Sequence, residues 1–147
     1  MLRHLCYTAP VFLVVIALGC AQPGPPLTEV KGRATLDGKP LDGAVIRFNP
    51  LAETPGHGGI AVADGDGKFS AIAGGADKRP GLPAGKYKVL ITRHRRPDGS
   101  APRKDVPDIV SDAIETVPDP YSSSRDTPLT ATIGTSSETI DFHLKSP

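Results

Sequence analysis

Residues 85–92 read Gly85-Lys86-Tyr87-Lys88-Val89-Leu90-Ile91-Thr92. Tyr87, Val89 and Ile91 alternate with Lys86 and Lys88, and a period of two puts successive side chains on opposite faces of an extended chain. One face of this stretch is therefore bound for a core and the other for water. Its β-branched and aromatic members favour strand over helix. Fold class turns on whether the rest of the chain repeats this grammar.

It does, in both directions. Upstream, Val30, Gly32, Ala34 and Leu36 alternate with Lys31, Arg33 and Thr35, before a turn at Asp37-Gly38-Lys39-Pro40. Ala44, Ile46 and Phe48 form the apolar face of a second run, which Pro50 closes. Gly59–Ala63 and Lys68–Ile72 are a third and a fourth, with Asp64-Gly65-Asp66-Gly67 between them as a hairpin signal. Downstream, Leu129, Ala131 and Ile133 alternate with Thr130 and Thr132, and Ile140, Phe142 and Leu144 with Asp141, His143 and Lys145. No helical period appears. With residues 87–91 this makes about seven short strands separated by turns, so the expectation is an all-β, antiparallel β-sandwich. Phe48, Phe69, Tyr87, Val89, Ile140 and Phe142 are its expected inward residues.

Composition agrees with a turn-rich β domain. Of 147 residues 16 are Gly and 16 are Pro, aromatics are 5%, and Trp is absent, so Val, Ile, Leu and Ala must fill the core. Lys and Arg number 17 against 16 Asp and Glu. Without a basic excess, nothing points to nucleic acid.

The N-terminus reads as an address. Arg3 and His4 precede the apolar run Val11–Leu18, which ends at Gly19-Cys20. That run is shorter than the roughly 20 residues a spanning helix requires and matches the apolar part of an export signal. Gly19-Cys20 resembles a bacterial lipobox, although Ala17 and Leu18 depart from its usual order. The resemblance implies cleavage of residues 1–19, acylation of Cys20 and an exported, membrane-anchored lipoprotein of the cell envelope, outer-membrane or periplasm-facing. Ala21-Gln22-Pro23-Gly24-Pro25-Pro26 cannot form helix or central strand, so residues 20–28 are expected to be a flexible tether. Cys6 and Cys20 are the only cysteines, so no disulfide is expected in the domain.

Three pieces of residues 29–147 carry a second resemblance. Val30-Lys31-Gly32-Arg33-Ala34-Thr35-Leu36-Asp37-Gly38-Lys39-Pro40-Leu41-Asp42-Gly43-Ala44, then Ala63-Asp64-Gly65-Asp66-Gly67-Lys68-Phe69, then Pro83-Ala84-Gly85-Lys86-Tyr87-Lys88-Val89 follow one another. In order and spacing they resemble carboxypeptidase regulatory-like domains, and Tyr121 through Leu144 resembles small bacterial lipoproteins of that type. This resemblance implies a transthyretin-like, Ig-like sandwich acting as a binding or structural accessory module, with no cofactor and no activity intrinsic to the fold.

Chemistry-bearing residues are sparse. Asp64-Gly65-Asp66-Gly67 begins like a calcium loop, but the twelfth residue is Gly75 where such a loop needs Glu. His4, His57, His94 and His143 are scattered, against the three or four converging ligands zinc requires. There is no G-x-S-x-G turn, and the chain ends His143-Leu144-Lys145-Ser146-Pro147, without the Y-R-G-S end of transthyretin-like hydroxyisourate hydrolases. No catalytic residue is assigned. A transthyretin-like hydrolase and a glycan- or peptide-binding module stand as alternatives to an accessory module. The expected partner surface is the long connection 93–128, where Arg93, Arg95, Arg96, Arg103 and Lys104 cluster and Tyr121 could pin the loop to the sandwich. Its partner would be an envelope protein or glycan, besides the lipid that Cys20 would engage.

Overall fold

The computed structural model describes residues 24–75, 78–102 and 112–147. Two sheets face each other. The first has five strands in the order β12-β9-β4-β5-β7: β4 is Val45–Pro50, β5 Gly59–Val62, β7 Ile72–Ala73, β9 Gly85–Thr92 and β12 Thr130–Ile133. All its pairings are antiparallel. The second is built around β2 (Val30–Leu36), flanked on one side by β3 (Lys39–Pro40) and β6 (Lys68–Ser70) and on the other by β13 (Glu138–Thr139) and β14 (Phe142–Leu144). Two short pairs complete the fold, β1 (Leu27–Thr28) with β8 (Leu82–Pro83) and β10 (His94–Arg95) with β11 (Ile114–Glu115). No helix occurs among the described residues.

Alternation places the core where the sequence puts it. Tyr87, Val89 and Ile91 are fully buried, and so are Ala44, Ile46 and Phe48 opposite them. Phe48, which packs on Tyr87 in the first sheet, meets Phe69 and Phe142 from the second. Ring centroids lie 6.2 Å apart for Phe48–Tyr87, nearly perpendicular, and 5.9 Å for Phe69–Phe142, nearly parallel. Both are favourable aromatic arrangements. The Tyr87 hydroxyl donates to the Pro83 carbonyl at 2.7 Å, so the one polar tip in this cluster is satisfied.

Four expectations need correction. The sheets are not antiparallel throughout: β13 and β14 both run parallel to β2. Residues 134–137 do not turn back as a hairpin but carry the chain from β12 to the other layer, and alternation cannot distinguish these routes. Residues 59–63 and 68–72 do not form one hairpin either. The Asp64–Gly67 turn crosses between sheets, and the fourth run divides at buried Ala71, β6 joining β2 and β7 joining β5. Gly67 makes that crossing possible: its φ is +77°, and a Cβ would lie 2.5 Å from the Ala34 carbonyl oxygen. Ile140 is only partly buried, in a break between β13 and β14 where its carbonyl sits over Gly32. There the Asp141 carboxylate, not a backbone carbonyl, accepts the Arg33 amide at 2.8 Å. The chain also joins the fold before residue 29. Leu27 and Thr28 pair with Pro83 and Leu82, and the Thr28 hydroxyl donates to the Gly134 carbonyl at 2.8 Å.

The connection 93–128 is partly structural. Val117 and Thr127 are buried, and the Thr127 hydroxyl donates to the Val89 carbonyl at 2.8 Å. The Ile91 amide donates to the Tyr121 carbonyl at 3.1 Å, so this segment extends the bonding of β9 beyond the end of β12.

Candidate functional site

The basic hairpin is the first surface to test. β10 and β11 set His94 opposite Glu115 and Arg95 opposite Ile114. Arg93 donates through its amide to a Glu115 carboxylate oxygen and through Nε to the Thr116 hydroxyl, both at 2.8 Å. Burial, reinforced by the neighbouring Arg95 charge, holds the Arg93 guanidinium pKa below its ordinary value. Arg95 lies against Gly43 and donates to the Asp42 carbonyl and, at 2.9 Å, to the Asp42 carboxylate. Arg96 donates to Asp112 at 3.1 Å and sits 3.5 Å from Asp98. The Asp112 hydrogen bond, then its charge, raises the Arg96 pKa. Each of these arginines already faces a carboxylate or hydroxyl of its own chain.

Tyr121 is half-buried against the core, its amide bonded to Pro118 and its carbonyl to Ile91. The structure thus places Arg95 in β10 with Arg93 and Arg96 flanking it, and sets Tyr121 beside β9. Cys20, Arg103, Lys104 and the expected signal segment 1–19 lie outside the described residues.

A second feature is a cleft of about 260 Å³ where the N-terminal segment meets the sandwich. Gly24 and Pro25 form one wall, and His57, Gly74, Arg79 and Pro83 contribute to the others. Among the described residues no group of three His, Cys, Asp or Glu side chains is placed to hold a metal ion. At the Asp64 turn the carboxylate is engaged by backbone, accepting from the Asp66 amide at 3.0 Å and the Lys68 amide at 2.9 Å.

Sequence reasoning passed over the third feature, the outward face of the five-stranded sheet. Strand register writes it out in rows. Val62, Val45 and Thr92 stand side by side, and the next row is Ile72, Ile60, Arg47 and Leu90. Asn49, Lys88 and Thr130 follow, then Lys86 beside Thr132. Directly opposed side chains in such rows stand about 5 Å apart, so each row is a continuous strip. Ile60, Ile72 and Val62 are 40%, 41% and 60% exposed, high values for residues that usually seek a core.

None of these strand residues is acidic. The Arg47 and Lys86 side chains have no hydrogen-bond or ion-pair partner among the described residues, and the Lys88 ammonium donates only to the Arg125 carbonyl, at 2.7 Å. The signal was present in the run Gly59–Ala63. Its alanines, Ala61 and Ala63, face the core, while the larger Ile60 and Val62 face out. Alternation located the two faces correctly, but which face carried the larger side chains was left unread.

Comparison of the chain with protein families, with curated proteins and with solved structures finds no match.

Proposed function

We propose that this chain is a lipid-anchored cell-envelope protein whose β-sandwich is a non-catalytic binding or accessory module of the carboxypeptidase regulatory-like type. The observation that carries the reading is the exposed apolar and cationic face of the five-stranded sheet, mounted on an aromatic core that bridges both sheets through Phe48. A rigid scaffold presenting such a face suits recognition. The arginine hairpin is the weaker candidate surface, since its guanidinium groups are engaged within the chain by Thr116, Asp42 and Asp112. Cys20 supports the anchored half of the reading, as only six residues separate it from Leu27, where β1 begins.

Mass spectrometry of the N-terminal peptide from a bacterial host tests the anchor. An acylated Cys20, with release of Cys20→Ser from membranes, is the expected result; a mature N-terminus beyond residue 20 overturns it. Crosslinking in intact cells from Val62 and from Arg96 tests the surface. Adducts at Val62 and few at Arg96 are expected, and the reverse would return the binding site to the hairpin.

A further inference from the structure

We infer that the outward face of the five-stranded sheet docks on anionic lipid headgroups of the bilayer, laying the sandwich flat on the membrane. The inference rests on the anchored reading above and goes beyond it by naming the partner of the face.

Arg47, Lys86 and Lys88 point from one face whose strands carry no carboxylate. The carboxylates flanking these strands are engaged elsewhere: Asp42, before β4, pairs with Arg95 at 2.9 Å, and Asp64, after β5, accepts the Asp66 and Lys68 amides at 3.0 and 2.9 Å. In a chain with nearly equal numbers of both signs, such separation makes one face attractive to anions. A planar array of three cations on two adjacent strands fits a planar array of phosphates better than it fits a single small anion, which needs converging donors.

The same face has an apolar half. Ile60, Val62 and Ile72 stand beside Arg47 and would meet the boundary between headgroups and acyl chains. An acidic protein would satisfy the cations but would need a matching apolar ridge.

Gly24 lies within reach of the Arg79 side chain at the end of the sheet where β9 begins, and Lys86 is the second residue of β9. Four residues, 20–23, span at most about 14 Å when extended, so an anchor at Cys20 would hold this edge close to headgroups. Tethering turns docking into an intramolecular step at high effective concentration, so a weak face suffices.

The test uses the full chain reconstituted through its own N-terminal region into vesicles. A benzophenone side chain is placed at Val62 or, on the second sheet, at exposed Thr139. Phosphatidylglycerol vesicles should give lipid adducts at Val62 and few at Thr139, and phosphatidylcholine vesicles few at either. Arg47→Glu, Lys86→Glu and Lys88→Glu together should lower the Val62 adduct at least about tenfold, since each cation near an anionic surface contributes several-fold in binding. If that variant does not fold, raising salt from 0.1 to 1 M on the unmodified sheet, where screening shortens to about 3 Å, should remove the adduct as well. Equal adducts at Val62 and Thr139, or equal adducts on the two lipids, overturn the inference, as does a Val62 adduct with protein alone. Acylated Cys20 with no Val62 adduct sinks the inference and leaves the anchor. An unmodified Cys20 with the Val62 pattern intact removes acylation and supports the face.

Discussion

β9 and the segment 112–128 lie side by side and are held by different means. β9 is bonded on both edges, to β4 and to β12, and its inward side chains Tyr87, Val89 and Ile91 are all fully buried. The segment 112–128 has two strand residues, and is held by buried Val117, by the Thr127 hydroxyl on the Val89 carbonyl and by the Tyr121 carbonyl on the Ile91 amide. A ladder repeats its contact every second residue and so writes a period into the sequence. A segment pinned at isolated points writes none, however firmly it is held. Length and polarity alone therefore misjudge how much of a connection is structure.

Replacing 112–128 with a Gly/Ser linker of equal length is the most severe way to break this comparison. If the segment were only a loop, closure entropy would change little and the domain would stay folded. Because its pins are buried, the replacement should abolish the cooperative urea transition. A transition that survives with an unchanged midpoint would show the pins to be incidental.

Single side chains sharpen the contrast. Phe48→Ala should cost about 3–5 kcal/mol, because Phe48 touches aromatic rings from both sheets. Val117→Ala should cost about 2 kcal/mol, two methyl groups plus a small cavity. Urea midpoints at constant slope would measure both. A cost at Val117 near zero would place that residue in a site able to collapse, and the segment would be less integral than its burial indicates.

The same distinction sorts what was legible in the sequence. Residues 44–48 and 87–91 carried their alternation in full, and their inward residues are those expected; in 30–36 Val30 and Ala34 are buried as expected, but Thr35 is buried too and Leu36 only partly. Sheet membership was not legible. The hairpin pattern at Asp64–Gly67 is identical whether the next strand pairs locally or crosses to the other layer, and the deciding contact, Gly67 against the Ala34 carbonyl, is distant in sequence. The parallel pairing of β13 and β14 with β2 was hidden for the same reason. Of the expected site, the clustering of Arg93, Arg95 and Arg96 was legible. Their carboxylate partners were not, because Asp42 lies 53 residues from Arg95 and Asp112 lies 16 residues from Arg96.

Thr127→Val tests one pin without altering shape. It removes the hydroxyl and leaves the volume, so the Val89 carbonyl loses a donor in a buried setting. The Leu129 amide, which donates to the same hydroxyl at 3.2 Å, loses its acceptor as well, so a loss of about 1–2 kcal/mol is expected, the net worth of two hydrogen bonds. Thr132→Val, on the exposed face of β12, should change stability by less than about 0.5 kcal/mol. Equal effects would mean that the Thr127 bond does not hold the segment to β9.

The smallest expected effect concerns another point attachment, at the far end of the chain. Asp37 follows β2, and its carboxylate accepts the Ser146 hydroxyl at 2.6 Å and the Ser146 amide at 3.1 Å. These two hydrogen bonds, the hydroxyl first, hold its pKa below the ordinary 3.8, with Lys145 and Lys39 adding in the same direction. A carboxylate whose pKa is lower folded than unfolded contributes stability above the unfolded value. That contribution is lost as pH falls through the folded value. The C-terminal clasp should thus be complete at neutral pH and open below pH 3.8, with Ser146 detaching while β14 stays paired to β2. Because Asp37 is fully exposed, the readout is local. The Ser146 amide resonance should follow a titration midpoint below 3.8, while the Phe142 amide stays still across the same range. Asp37→Asn should abolish the Ser146 titration without shifting the urea midpoint measurably. If Phe142 moved together with Ser146, the clasp would be part of the ladder, and the line drawn between laddered and pinned segments would fail at this end of the chain.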